Sequence, residues 1–229
     1  MILQILTIFG ILSMAIGVLL AIYQWDYKRL LAYHSISQVG YIILGIGLGT
    51  PLGILGGLFH LINHSIFKSL LFLTSGAVEY ATGTRDLRKM GGLKEKMPIT
   101  AATSLIASMS IAGIPPFNGF WSKLVIIIAC IQAGRFGLGL IAVIVSLLTL
   151  ASFLKVQKYA FFGKLNPEFE QIKEVPTSMK ISMILLSIMC VTMGLLLLPG
   201  IKEIFLDPAV KVLTEGIKYG INVFESIKQ

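Results

Sequence analysis

The sequence predicts an all-α integral membrane protein with six transmembrane helices, the fourth of them broken, followed by an amphipathic helix. Three observations carry that expectation. Of 229 residues, 55% are hydrophobic and only 13% charged, roughly half the charged share of ordinary soluble domains. The charges are also clustered: Asp26 is the only acidic residue before Glu79, and none lies between Glu95 and Glu168. Mean hydropathy is +0.86, and the apolar runs between clusters reach the roughly 20 residues that a helix needs to cross a hydrocarbon core about 30 Å thick.

The first run, Met1 to Tyr23, lacks a basic leading region and a small-residue cleavage site, and it outlasts the apolar stretch of a signal peptide. It is expected to be retained as a span. The second, third, fifth and sixth spans are expected at Leu30 to Leu48, Leu52 to Tyr80, Phe136 to Phe162 and Ser178 to Pro199, and the fourth at Pro98 to Gln132. The third and fourth exceed one straight crossing, so each must tilt, protrude or break. In the fourth, Gly113, Pro115 and Pro116 interrupt the apolar run; the prolines remove two backbone donors and stop the helical ladder. Interrupted backbone at membrane depth is tolerated only inside protein or beside water. After Pro199, Val210, Leu213, Ile217, Ile221 and Phe224 recur at steps of three or four with polar residues between. That pattern is an amphipathic helix, lying on the membrane surface or packed on a neighbour.

Charge orients the bundle. The connectors after spans one, three and five hold twelve of the 19 basic residues, whereas the other side has Arg135 and four lysines of the tail. The positive-inside rule then places both termini outside a cell membrane and the basic connectors in the cytoplasm. The net charge of +8 is therefore that of membrane connectors facing lipid headgroups, and nucleic acid is not expected as a partner. Cys130 and Cys190 lie inside apolar runs without ligand spacing and read as packing residues. No P-loop, metal-ligand cluster, CxxC or nucleophile elbow is present, so the sequence offers no apparatus for bond chemistry, no metal site and no cofactor site.

Ionisable residues inside the spans are the functional signal. His60, His64 and Lys68 are spaced four apart, which stacks them on one helix face over about 12 Å. One such histidine reads as a neutral group bonded to a carbonyl or serine. The set, with a lysine near mid-span, reads as a proton relay, because intramembrane ionisable groups face bundle interiors and mark ion paths. Lys123 follows the break, where freed carbonyls and half-helix ends bind ions, water or a charged side chain. Asp26, Lys28, His34 and Lys155 sit toward the basic-connector ends of spans and are second-rank candidates for proton intake; His34 reads equally well as a rim histidine bonded to a neighbour, and lysines there snorkel by default. No Asp or Glu lies in the interior of any span, Glu79 being at a rim. Buried cations need acidic partners or deprotonation, so either the lysines are largely neutral or another chain supplies carboxylates.

The stretches QWDYKRLLAYHSISQVGYIILGIG, HLINHSIFKSLLFLTSGAV, TGTRDLRKMGGL and SIAGIPPFNGFWSK resemble the antiporter-like subunit family. That family includes large subunits of Mrp-type cation/proton antiporters and their relatives in respiratory complex I and membrane-bound hydrogenases. The D-type Mrp subunit is the nearest in look, also through SLLTLASFLKVQKYAF. The resemblance implies two inverted five-helix repeats, each with a broken helix, of which this chain carries the second over residues 1–165. A connector and sixth span would follow over 166–200 and the amphipathic helix over 201–229. It further implies that His60, His64 and Lys68 fall on the family's central relay, that Lys123 is the lysine of its broken helix, and that Asp26 and Lys28 are the polar pair before the next span. The expected function is a membrane subunit carrying half of a proton or sodium/proton path; the second reading is a non-conducting scaffold subunit joining others in a respiratory complex. The first repeat, with its carboxylate, is absent from this sequence. A start at methionine suits a split or shortened subunit, and another chain is expected to supply that half, beside small membrane subunits and redox subunits of the complex.

Overall fold

The computed structural model describes residues 2–226. Helices run over Ile2–Ile22 (α1), Tyr27–Gly47 (α2), Pro51–Thr82 (α3), Pro98–Ala112 (α4), Asn118–Gln132 (α5), Phe136–Val156 (α6), Thr177–Thr192 (α7), Ile201–Phe205 (α8) and Asp207–Ser226 (α9), and there is no strand among the described residues. Five segments are long and apolar enough to cross a membrane, and α4 and α5 are shorter apolar helices on either side of the break. The expected fourth span is thus two helices, and the expected sixth is α7 continued by a 3-10 turn over Met193–Leu197. α3 keeps its ladder through 32 residues. At 1.5 Å per residue it is about 48 Å long, so it tilts or protrudes rather than breaking.

Helix ends follow local chemistry. Asp26 caps α2 by accepting from the Arg29 N–H at 2.8 Å, Thr50 caps α3 through the Gly53 N–H at 3.1 Å, and Gly83 closes α3 at φ 69°, a left-handed conformation that favours glycine. α1 and α2 pack backbone to backbone. A Cβ at Gly10 would lie 2.7 Å from Leu44 N and one at Gly17 2.6 Å from Ser37 N, so only hydrogen fits. Thr7 and Ser37 hydroxyls donate across this seam to the Gly47 and Met14 carbonyls at 3.0 and 2.9 Å, as small and hydroxyl residues do between membrane helices.

α3 is the hub, touching α2, α4, α5, α7 and α9, while α6 closes the bundle against α1, α4 and α5. The basic connectors are tied to each other: Tyr27 and Leu87 N–H groups donate to Arg85 and Trp25 carbonyls. Glu174, just before α7, accepts from the Ile99 and Thr100 N–H groups and the Thr100 hydroxyl at 2.8, 3.2 and 2.6 Å. A carboxylate from a distant segment thereby caps α4, whose own N-cap residue Met97 has no capping group. At the opposite end Leu206 and Val210 pack on Ile54, Leu55 and Phe59 of α3. Val210 and partly buried Ile217 of the expected apolar face pack there, while Leu213 stays exposed. Ile221 and Phe224 fall outside the described side chains.

Candidate functional site

The α3 line begins at His60, fully buried, with Nδ1 2.9 Å from Ser122 Oγ of α5. One turn on, His64 is half-buried, and its Nε2 has no partner among the described residues. Lys68 is 7% exposed; its Nζ donates to the Leu31 carbonyl of α2 and lies 5.0 Å from the centre of the Phe72 ring. The three residues therefore share a helix, but His60 reaches α5 and Lys68 reaches α2, while His64 Nε2 is left without a partner among the described residues.

The break explains where Lys123 goes. An α-helix leaves its last four carbonyls without helical donors. In α4, Gly113 at φ 79° and Ile114 turn back and give their N–H groups to the Ser110 and Met109 carbonyls at 3.0 Å each. Pro115 and Pro116, joined by a cis bond, carry no N–H to offer. Lys123 Nζ serves the Ile111 carbonyl instead, at 2.7 Å, and also donates to Ser146 Oγ of α6 at 3.0 Å. The two halves meet so closely that a Cβ on Gly119 would fall 1.9 Å from Ser110 O. A cavity of about 190 Å³ adjoins Lys123, lined by Gly113, Phe120, Ser146 and Leu147 among others.

Tyr41 joins these groups. Its hydroxyl donates to the Ala142 carbonyl at 2.5 Å and lies 3.3 Å from Ser146 Oγ; its ring is 4.6 Å from Lys123 Nζ and 5.4 Å from the His60 ring. Lys123, Tyr41, Ser146, His60 and Ser122 thus form one polar group at the break. A second group lies nearer the basic connectors, where His34 Nε2 is 2.9 Å from Ser152 Oγ. Between them on α2 is Gln38, fully buried, with neither amide atom paired among the described residues. Spacing singled out the histidines and lysines, but not Tyr41, Ser122, Ser146 or Ser152. Tyr41 lies seven residues after His34 on the same helix face, a spacing that marks it in the sequence.

The remaining intake candidates lie apart from these groups. Asp26 is the α2 cap. Lys28 is 2.6 Å from Glu79, which Arg85 also holds at 2.5 Å. Lys155 donates to the Ile22 and Gln24 carbonyls at 2.6 and 2.7 Å, where a cation suits the C-terminal end of α1. In the connector, Arg88 hydrogen-bonds Asp86 and holds its carboxyl below the usual range. No group of residues able to hold a metal ion occurs among the described residues, and Cys130 and Cys190 are free and buried.

Apolar helices of membrane length wrapped around buried lysines and histidines define a multi-pass membrane protein. The chain belongs to the NADH:quinone oxidoreductase/Mrp antiporter transmembrane family, which matches residues 1–149. It is 45% identical over 160 residues to the D-type subunit of the Na(+)/H(+) antiporter of Alkalihalophilus pseudofirmus, covering 70% of this chain and 32% of that protein. To the hydrogenase-4 component B of Escherichia coli it is 38% identical, covering 81% and 31%. In three dimensions it matches a chain of the Mrp complex from a Dietzia species with a TM-score of 0.83 at 30% identity, over 92% of this chain and 46% of that one. A chain of the membrane-bound sulfane sulfur reductase, an archaeal respiratory complex, matches with a TM-score of 0.81 at 39% identity, over 86% and 32%. The chain spans about a third of the length of the curated relatives it matches.

Proposed function

We propose that this chain is the half of an antiporter-like subunit that moves protons, or sodium against protons, within a multisubunit membrane complex. The single observation that carries the reading is the buried basic set His60, Lys68 and Lys123, each at most 7% exposed, in a chain whose acidic residues all lie outside the span interiors. Embedded charge of one sign needs either proton release or carboxylates from outside the chain. Lys68 and Lys123 would be the switching sites. His60 and His64 lie between Lys68 and the break along α3, and Tyr41, Ser122 and Ser146 offer hydroxyl relays there. Residues 1–165 would be the repeat unit, 166–200 the connector and sixth span, and 201–229 the C-terminal segment. Both termini face outward from a cell membrane.

The partner completing the path would seat against the open side of α3. Leu61, Ser65, Ser69 and Phe72 are exposed there, beside half-buried His64, and hydroxyls at membrane depth suit a helix interface better than lipid. Other small membrane subunits and redox subunits would complete the complex. Co-purification identifies them, and liposomes test the need for them. The intact complex is expected to show cation-coupled proton flux, and the chain alone none; robust flux from the chain alone would contradict the half-path assignment.

A further inference from the structure

α6 does not end as a simple helix. Its last turn widens into a π-helical turn over Gln157–Phe161, a geometry that recurs at functional sites. Gln157, at its start, faces inward, 3% exposed, while Lys158 beside it stays exposed. Gln157 Nε2 donates to Ser104 and Ser108 Oγ of α4 at 3.1 and 2.9 Å. The Ser104 hydroxyl is also 3.1 Å from that of Tyr27, the first residue of α2. All three partners are at most 1% exposed, and Gln157 Oε1 has no partner among the described residues. A buried amide oxygen needs a donor, and polar sites of this kind are where buried water resides.

Position decides what such water would do. Ser104 and Ser108 lie six and ten residues into α4, about 9 and 15 Å from its connector-side end. Leu31, whose carbonyl receives Lys68 Nζ, is one turn beyond Tyr27 on α2, and His34 is nearly one turn further. Along α6, Ser152, the partner of His34, is five residues before Gln157, about 7.5 Å of rise. The cluster and the Leu31 carbonyl that receives Lys68 therefore both lie within about 15 Å of the connector-side ends of their helices.

We propose that the buried cluster of Tyr27, Ser104, Ser108 and Gln157 holds water and is the port through which protons pass between the connector-side solution and Lys68. The inference rests on the translocation reading above and adds an intake route away from Asp26 and Lys28, which are occupied as a cap and an ion pair. The rival account is a dry polar knot that only ties α2, α4 and α6 together.

Thiol access separates the two. Ser108→Cys in the intact complex, with Ser104→Cys as the substitute where assembly fails, is exposed to a small, charged, membrane-impermeant methanethiosulfonate from either side. The wild-type complex, with Cys130 and Cys190 buried, is the blank, and Lys164→Cys on the connector is the control for full labelling. The expected result is labelling from the connector side only, with loss of ion translocation once the charged adduct is attached. Absence of label where Lys164→Cys is fully modified, label only from the opposite side, or unchanged translocation after labelling would overturn the port. Labelling is read independently of proton movement, so a failed translocation reading, seen as unchanged translocation in Lys68→Ala, is distinguishable from a failed port, seen as a missing label.

Discussion

Replacing Lys123 by methionine separates two roles that the break gives one side chain. Methionine retains most of the apolar stem, so packing against Tyr41 and α6 is largely kept. The Ile111 carbonyl loses its 2.7 Å donor, and no proline at 115 or 116 can replace it. A buried carbonyl left unpaired costs about 1–3 kcal/mol, and a chain of this size shifts by roughly 2–4 °C per kcal/mol. The thermal midpoint of the assembled complex should therefore fall by about 2–12 °C. Lys123→Gln keeps an N–H donor without an ionisable group, so it should recover part of that loss. Neither variant should translocate ions in liposomes, read with a pH-sensitive dye. Wild-type translocation by an assembled Lys123→Met complex would refute the proton role. Equal midpoints for the methionine and glutamine variants would refute the carbonyl account.

Substituting both Pro115 and Pro116 by alanine restores two backbone donors, and the broken ladder should regularise; translocation should suffer more than assembly, measured as flux per assembled complex. Gly17→Leu places a side chain where even a Cβ meets Ser37 N at 2.6 Å; overpacking costs typically about 1–3 kcal/mol, so the yield of assembled complex should drop, and an unchanged yield would mean that α1 and α2 do not pack backbone to backbone. Because Arg88 holds the Asp86 carboxyl below its ordinary value, that pair stabilises the folded connector above the unfolded pKa of about 3.9 and loses this contribution only as pH falls through the lower folded value. Protease resistance of the connector should accordingly be level from about pH 7 to 5, and Asp86→Asn should lower it across that range.

Much of the architecture was legible because membrane helices announce themselves by length and by the absence of charge, and because the Gly113, Pro115 and Pro116 interruption removes donors whatever surrounds it. The buried histidines and lysines were legible for the same reason: charge at membrane depth is rare enough to mark a site. Ser122, Ser146, Ser152 and Gln157 were not. Serine hydroxyls in membrane helices often bond their own backbone four residues back, as Ser187 does to Met183 O at 2.8 Å, so a serine in sequence does not say whether it faces a lysine. Gln157 follows fully buried Phe153 by four residues and so shares its inward face, but which serines it meets there is set by how α4 packs on α6, and no residue pattern within Gln157–Phe161 signals the π-helical turn. Nor could local signals foresee Glu174 capping α4, since the two are brought together only when α7 folds back on the bundle.

The central claim is that protons cross this chain through its buried lysines, and Lys68→Ala in the intact complex tests it most directly. With assembly verified by the composition of the complex, cation-coupled proton movement should fall to the background of empty liposomes, while any redox or ligand-binding activity of the partner subunits persists. Wild-type translocation in that variant would contradict the claim and leave the chain a structural component that keeps the family scaffold without conducting.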